Sequence, residues 1–521
     1  MIQRLVALLI FVSASAASAD TLADIRRRGA IVWGADQEGG GPYVYPREDA
    51  PDEVTGFEVE VAARLGEYLK VEPRFFQGPW DKMPELVRTG KVDIVLNGYE
   101  WSPARADTLE ATLPYYVYGL QLLGRKSDGT LTGWKDLESA PDGGRPRKIG
   151  VLTGSAAETY VRERLGERAE LVTYDGNTDA MREVETGKID ATVQDTPIAV
   201  FYGPRFPRLR ALEDPVGRGY YVIYARKGET ALVAALNEAL ILMVRNGDLE
   251  RIYRRYKIWN PAQAELSAIA DAGKFFGYAR AASAAVTAGA LPAAEEVHQE
   301  TRPRGLTVVR RYGTTLLQAA GVTVILSVLS FPLAIAAGLL IAVGRLYGPA
   351  WLKPLLAVYV ETLRGTPVML QLYFIFFFLP ELGINVPAFW TAILGLAVNY
   401  SAYESEIYRA GLQAIPVGQM EAALSLGMSR ALALRRIIVP QAVRIVIPPV
   451  VNDFIALFKD TSVCSVVTLV ELTKRFSVLS QSTQATIELM LITAALYMLM
   501  SYPLSVVAGR LERRMAGVGA A

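Results

Sequence analysis

Glu421, Arg430, Arg435 and Arg436 stand in "EAALSLGMSRALALRRIIVP" (421–440), with Gly427 at its centre, Pro440 at its end and apolar runs on both sides. A charged side chain costs about 3 kcal/mol at the middle of a membrane helix, so this segment does not suit lipid. A helix over 419–436 is expected, with Ala422, Ala423, Leu426 and Ala433 as one apolar stripe and Gly427 allowing close approach or a sharp turn. Such an element suits docking to a soluble protein. Other chemistry is scarce. A phosphate-binding loop would read G-x-x-x-x-G-K-[ST], but the Gly-Lys pairs here are followed by Val92, Ile189 and Phe275, and none has the upstream glycine. ATP hydrolysis, if used, belongs to a separate subunit, and no cofactor is expected in this chain. Cys464 is the sole cysteine, so no disulfide forms within the chain, and no metal site is expected. Opposite charges nearly cancel at a formal +1, which gives no reason to expect a nucleic-acid partner.

The elements that must position these residues fall into two halves. Residues 1–19 read as a secretory signal, with Arg4, an apolar core from Val6 to Val12 and Ala17-Ser18-Ala19 before the cut. Residues 20–260 alternate short apolar strands ("AIVWGAD", "KVDIVLNG", "KIGVLTG") with amphipathic helices, which predicts an α/β domain. A helix–Gly–strand unit recurs in "ELVRTGKVDIVL" (85–96) and "EVETGKIDATVQD" (183–195), consistent with two similar lobes. Residues 261–305 are Ala-rich and read as a linker, and the only histidine, His298, lies there. Within 306–521 the charge-free runs Tyr312–Gly344, Gly365–Pro380, Leu382–Tyr403 and Leu489–Gly509 predict membrane helices. A fifth span near Arg444–Val470 is interrupted by Asp453, Lys459 and Asp460, charges that at such depth face a bundle interior or a water-filled path. With the first domain outside, five spans leave the C-terminus inside. Arg345, Lys353, Arg510, Arg513 and Arg514 agree with this topology, while Arg310, Arg311, Lys474 and Arg475 count against it.

The 421–440 stretch closely resembles the EAA loop of ATP-binding-cassette (ABC) importer permeases: E-A-A, three residues, Gly, nine residues, then I-x-L-P, with Val439 in place of Leu. The flanking "ETLRGTPVMLQLYFIFF" and "PPVVNDFIALFKDTSVCSVV" are similar to the polar-amino-acid branch. The resemblance implies that the loop docks on an ATPase subunit through Glu421, Ala422, Ala423 and Gly427. Residues 28–260 resemble the amino-acid-type periplasmic binding proteins, in "GFEVEVAARLG", "GPWDKMPELVRTGKVDIVLNG", "SPARAD" and "GKIDATVQDTPIAVFY" among others. The fold class expected is therefore an α/β two-lobed clamp followed by an all-α permease domain of about five helices.

The resemblance also implies a ligand site. Arg105 would grip a substrate carboxylate with its forked guanidinium, and Asp195 would hold the α-ammonium. Ser155 would add a hydroxyl and an N–H at a helix start. Asp36 would meet a polar ligand side chain, Trp80 would form an aromatic wall, and Gly98 would lie beside them. Two departures stand out. Gly40, within the Gly39–Gly41 run, stands where the family usually has an aromatic, so that wall is either missing or supplied by Tyr43, and Glu100 stands where the family has a Ser or Thr after "NGY". A carboxylate there suits an ammonium or a cationic side chain.

The function implied is the receptor and permease subunit of an importer for a polar or cationic amino acid or related small solute. It would sit in the bacterial inner membrane with the clamp in the periplasm, driven by a separate ATPase, and the second permease half would come most simply from homodimerisation, or else from another permease chain. A ligand-gated channel shares the clamp but inserts its pore between the lobes, whereas here every span follows the clamp. A dehydratase on the same scaffold would use Glu100 to move protons.

Overall fold

The computed structural model describes residues 21–38, 40–138, 145–274, 303–483 and 485–516. The signal segment 1–19, Gly39, most of the linker and His298 lie outside the described residues. The chain divides near residue 300 into two compact units.

The first unit is built on one sheet. Its main strands are β1 (Ala30–Ala35), β2 (Glu72–Gln77), β3 (Ile94–Val95), β4 (Leu109–Arg125), β5 (Arg147–Leu152), β6 (Ala169–Tyr174), β7 (Ala191–Asp195) and β8 (Val216–Arg226). They lie in the order β2-β1-β3-β8-β4-β7-β5-β6. β1 runs parallel to β2 and β3, and β5 parallel to β6 and β7, giving two small lobes. The long strands β4 and β8, of 17 and 11 residues, join the lobes antiparallel. β4 pairs with β8 from Leu109 to Leu120 and with β7 from Leu120 to Gly124, so a single strand serves both lobes. Register shifts along β8 bend this connection, as bulges do.

The sequence repeat has a structural counterpart. The helices Met83–Arg88 and Asn177–Thr186 are each followed by a left-handed glycine, Gly90 (φ 71°) or Gly187 (φ 82°), and then by β3 or β7. Asp93 accepts the Val32 N–H of β1 at 2.6 Å, and Asp190 accepts the Lys148 N–H of β5 at 2.8 Å. Each aspartate ties its strand to the parallel neighbour, so the two lobes are built the same way.

Helix α1 (Phe57–Leu69) buries Phe57, Val61, Ala62 and Leu65 on one stripe, and Phe57 packs against Tyr116 and Tyr253 in the shared core. The core also takes in residues read from sequence as linker. Pro261–Ala264 forms a 3-10 turn and Glu265–Ala272 a helix, with Leu266 and Ile269 buried in the same cluster. The clamp thus continues past 260, because Gln263 bonds both the N–H and the C=O of Val117 in β4.

The second unit is helical. Among the described residues, three helices are long and apolar enough to cross a membrane: Leu306–Tyr347 (α3), Arg430–Val467 and Thr486–Arg510. The count rises to four if Leu352–Gly365 (α4) and Val368–Leu382, which meet at 108°, form one broken span. This revises the expected uninterrupted span from Gly365 to Pro380. Pro367 cannot donate to the helix ladder, and Gln371 donates instead to the Leu363 and Thr366 carbonyls at 2.9 and 3.2 Å. Asn399 supports Gln371 from a long helix, α5 (Ala388–Gln413), at 3.1 Å. α5 matches the expected third run in place, but it buries Asn399, Ser401, Glu404 and Ser405, so it does not join the three strongly apolar helices.

Candidate functional site

The carboxyl ends of β1, β3, β5 and β7 converge on a cavity of about 50 Å³ between the lobes, the usual place for a ligand in open α/β sheets. Asp36, Tyr43, Trp80, Gly98, Glu100, Ser155 and Asp195 all line it. Arg105 does not. Its guanidinium donates to the Glu100 carboxylate at 2.7 Å and to the carbonyls of Glu100 and Gly154 at 2.9 and 3.0 Å. It also lies 4.9 Å over the Tyr99 ring and 5.4 Å over Trp80. The expected ligand fork is therefore filled by the chain's own acid. The other oxygen of Glu100 accepts the Ala156 N–H at 2.9 Å, at the start of the helix Ala156–Leu165.

Several other expected ligand groups have structural duties. The Ser155 hydroxyl caps that helix, accepting from the Glu158 N–H at 3.2 Å and donating to Leu152 at 2.7 Å. Asp36 accepts the Trp80 N–H at 3.0 Å, the Glu38 N–H at 3.0 Å and the Gln77 amide at 2.8 Å, which fixes the loop after β1. Trp80 stacks on Tyr99 at 4.7 Å. Gly98, at φ 60°, leaves room for the Tyr43 ring, which a Cβ there would approach to 2.9 Å. Gly40 admits no side chain, since a Cβ would fall 2.3 Å from the Val44 oxygen.

Asp195, at the end of β7, accepts from the Tyr221 hydroxyl, which also pairs with the Tyr43 hydroxyl at 2.7 Å. Tyr221 stacks on Tyr118 at 4.6 Å. These two tyrosines come from the joining strands β8 and β4, and sequence reading missed them. Their only signal is the tyrosine-rich strand text "PYYVYG" and "GYYVIY". Burial pushes the Asp195 carboxyl well up, the Glu100 charge adds to the rise, and Tyr221 and Arg105 oppose it.

Glu58, also missed, holds Gly98 in place by accepting its N–H at 2.6 Å, and it accepts from the Tyr115 hydroxyl. Burial raises its carboxyl from 4.5 to about 7 against the hydrogen bonds from Tyr115, Gly98 and Asn97. The native state then keeps a proton that the unfolded chain loses near pH 4.5, so this group's contribution to stability falls as pH rises from 4.5 to about 7. Among the described residues the Oε2 of Glu58 has no hydrogen-bond partner, and an amide has the same shape as the carboxyl. Glu58→Gln is expected to flatten that slope and to raise Tm at pH 8 relative to the wild-type protein. Thermal unfolding of the full chain at pH 5 and pH 8 measures it, and an unchanged slope would contradict the assignment.

The expected docking helix is two helices. Val417–Ser425 ends in a Schellman motif: the Met428 N–H bonds the Ala423 carbonyl at 3.1 Å and the Gly427 N–H the Leu424 carbonyl at 2.9 Å, with Gly427 at φ 80°. Ser429 then caps Arg430–Ala433, accepting the Leu432 N–H at 3.3 Å. The predicted apolar stripe splits accordingly. Ala423 and Ala433 are buried, whereas Leu426 is 82% exposed, and Glu421, Ala422 and Gly427 are also exposed. Ala423, expected in the contact, packs inside the loop instead.

Together these features describe a solute-gripping clamp and a helical membrane unit in one polypeptide. The model for bacterial extracellular solute-binding proteins, family 3, matches residues 32–258, and that for the binding-protein-dependent transport system inner membrane component matches 334–517. The L-cystine transport system permease protein of Bacillus subtilis is 36% identical over 194 residues, covering 37% of this chain and 83% of the relative. A probable glutamine ABC transporter permease protein of the same organism is 40% identical over 196 residues, covering 37% and 90%. Among solved structures, an ancestral amino acid-binding protein described as a precursor of cyclohexadienyl dehydratase is 27% identical, with TM-score 0.41, covering 45% of this chain and 99% of that one. The chain belongs to the amino-acid ABC importer permeases, with a solute-binding domain fused ahead of the permease. It is a membrane transporter subunit rather than an enzyme, and its kinship implies an ATPase partner.

Proposed function

We propose that this protein captures a small cationic or polar amino-acid-type solute in the periplasm and passes it through its own permease unit in a bacterial inner membrane. A separate ATPase grips the exposed 417–440 segment, and two copies of the chain surround one pathway. The observation that carries this reading is the acidic cavity between two equivalent lobes, placed ahead of a permease bearing an exposed loop with a left-handed glycine. The relatives named for cystine and glutamine transport support a substrate of amino-acid size. The linker raises the clamp's effective concentration at the pathway, and a single permease half is completed most simply by a twofold copy. No cofactor is assigned to this chain; ATP is used by the partner.

The test is uptake into right-side-out or reconstituted vesicles, with the clamp facing the medium, that contain this chain and a co-expressed ABC ATPase. Accumulation of radiolabelled cationic amino acids or amines is expected only when ATP is supplied on the ATPase side. The detergent-solubilised complex is expected to hold two copies of this chain. ATP-independent flux would instead favour a channel.

A further inference from the structure

A guanidinium fork beside the free N–H groups of a helix start is a general seat for a carboxylate. Here that seat is formed by Arg105 and the Ala156 N–H, and it is taken. Glu100 places one oxygen 2.7 Å from the Arg105 guanidinium and the other 2.9 Å from the Ala156 nitrogen. The Glu100 side chain is 4% exposed. Arg105 is further pinned by the Gly154 carbonyl and by stacking on Tyr99 and Trp80, so it cannot turn towards the cavity without giving up all of these contacts. A ligand carboxylate would have to break a buried, hydrogen-bonded ion pair and leave the Glu100 charge without a partner.

The rest of the cavity points the same way. Five carboxylates line it, those of Asp36, Glu38, Glu100 (paired to Arg105), Asp175 and Asp195, and among the described residues no lysine or arginine does. An entering anion is repelled by this set and an entering cation attracted. Tyr43 and Trp80 add aromatic surface, which also favours an ammonium group. The cavity, of about 50 Å³ and partly open, favours a small ligand. The membrane unit, taken by itself, is acidic inside as well. Glu404 of α5 is fully buried, and Asp460 accepts from the Tyr400 hydroxyl at 2.6 Å.

We propose that Glu100 is a built-in substitute for a ligand carboxylate, so that the clamp selects a small organic amine bearing no carboxylate, with its ammonium held by Asp195 and Glu100. The proposal rests on the reading of this chain as receptor and permease, and it narrows the substrate class within that reading. Glu100 acts as a specificity-determining residue, since its length sets whether the Arg105 seat is open or filled.

The test uses the full chain in nanodiscs, with calorimetric titration against matched pairs that differ only by the carboxylate: putrescine and ornithine, cadaverine and lysine, agmatine and arginine, ethanolamine and serine. At least one amine is expected to bind ten times more tightly than its amino-acid counterpart. Glu100→Thr is too short to reach the seat and is expected to shift the preference in that pair by at least tenfold towards the amino acid. Glu100→Gln keeps the volume and guards against a folding defect in the Thr variant; it is expected to weaken amine binding without gaining the amino acid. An amino acid binding wild type as tightly as its amine overturns this proposal and leaves the receptor reading standing. Absence of binding by every compound to wild type and both variants overturns the receptor reading as well.

Discussion

Asp195→Asn is expected to weaken binding of the tightest cation in the matched panel by about thirtyfold to several thousandfold at pH 8. That range corresponds to the ~2–5 kcal/mol lost when one partner of a buried charge pair is removed. The same variant should also abolish a pH dependence present in the wild type. Burial and the negative charge of Glu100 hold the empty Asp195 carboxyl protonated up to about pH 8, with Tyr221 and Arg105 opposing. Burial raises the hydroxyls of Tyr43, Tyr116 and Tyr118, the Asp195 charge adds to the rise, and all three stay neutral in this range. A cationic ligand requires the carboxylate, so binding releases a proton below pH 8 and tightens by up to about tenfold per pH unit as pH 8 is approached from below, then levels off. For the empty clamp the sign is opposite. The native carboxyl binds a proton that the unfolded chain has lost, so its contribution to stability falls between pH 4 and 8, and ligand cancels that fall. Titration at pH 6, 7, 8 and 9 in two buffers of different ionisation heat measures both the slope and the proton. A flat profile in wild type, or an Asn variant that binds normally, would remove Asp195 from the site.

Gly427→Val is expected to cut ATP-driven uptake by about tenfold while leaving ligand binding at the clamp unchanged. An added Cβ meets nothing within 4 Å, so crowding is not the cause. The cause is the backbone, at φ 80°, where a branched side chain costs about 1–2 kcal/mol. Relief of that strain unwinds the Schellman end of Val417–Ser425 and reorients the exposed Glu421 and Ala422 relative to Arg430–Ala433. Gly427→Asn tolerates the left-handed region and should retain most uptake, which separates a conformational requirement from one for a bare backbone surface. ATPase co-purification and vesicle uptake read the two variants. A Val variant that still couples at the wild-type rate would show that the loop does not transmit the stroke through this turn.

The chain's own text determined what is local. The charge-free runs Tyr312–Gly344 and Leu489–Gly509 marked two of the apolar helices, because a bilayer-length helix must be apolar over its own length. The E-A-A to Gly spacing marked the exposed loop, since 3.6-residue geometry and a left-handed stop are written within ten residues. The two Gly-Lys units marked the paired lobes, because Asp93 and Asp190 act on strands that are immediate neighbours in the sheet. Seven of the expected ligand residues line the cavity for a similar reason: strand ends and helix starts are recognisable, and they converge at one end of the sheet. What tertiary structure alone decided is which of these groups stay available. β8 inserts between β3 and β4 from about a hundred residues away, and only that insertion sets Tyr221 against Asp195 and Tyr43. The break between Gly365 and Val368 needs Gln371 and Asn399 to satisfy its loose carbonyls, an arrangement made by two different helices. Most decisively, Arg105 and Glu100 lie five residues apart and read as two separate ligand groups. Whether they reach for a solute or for each other depends on the Ala156 N–H and the Gly154 carbonyl, which the second lobe brings to them.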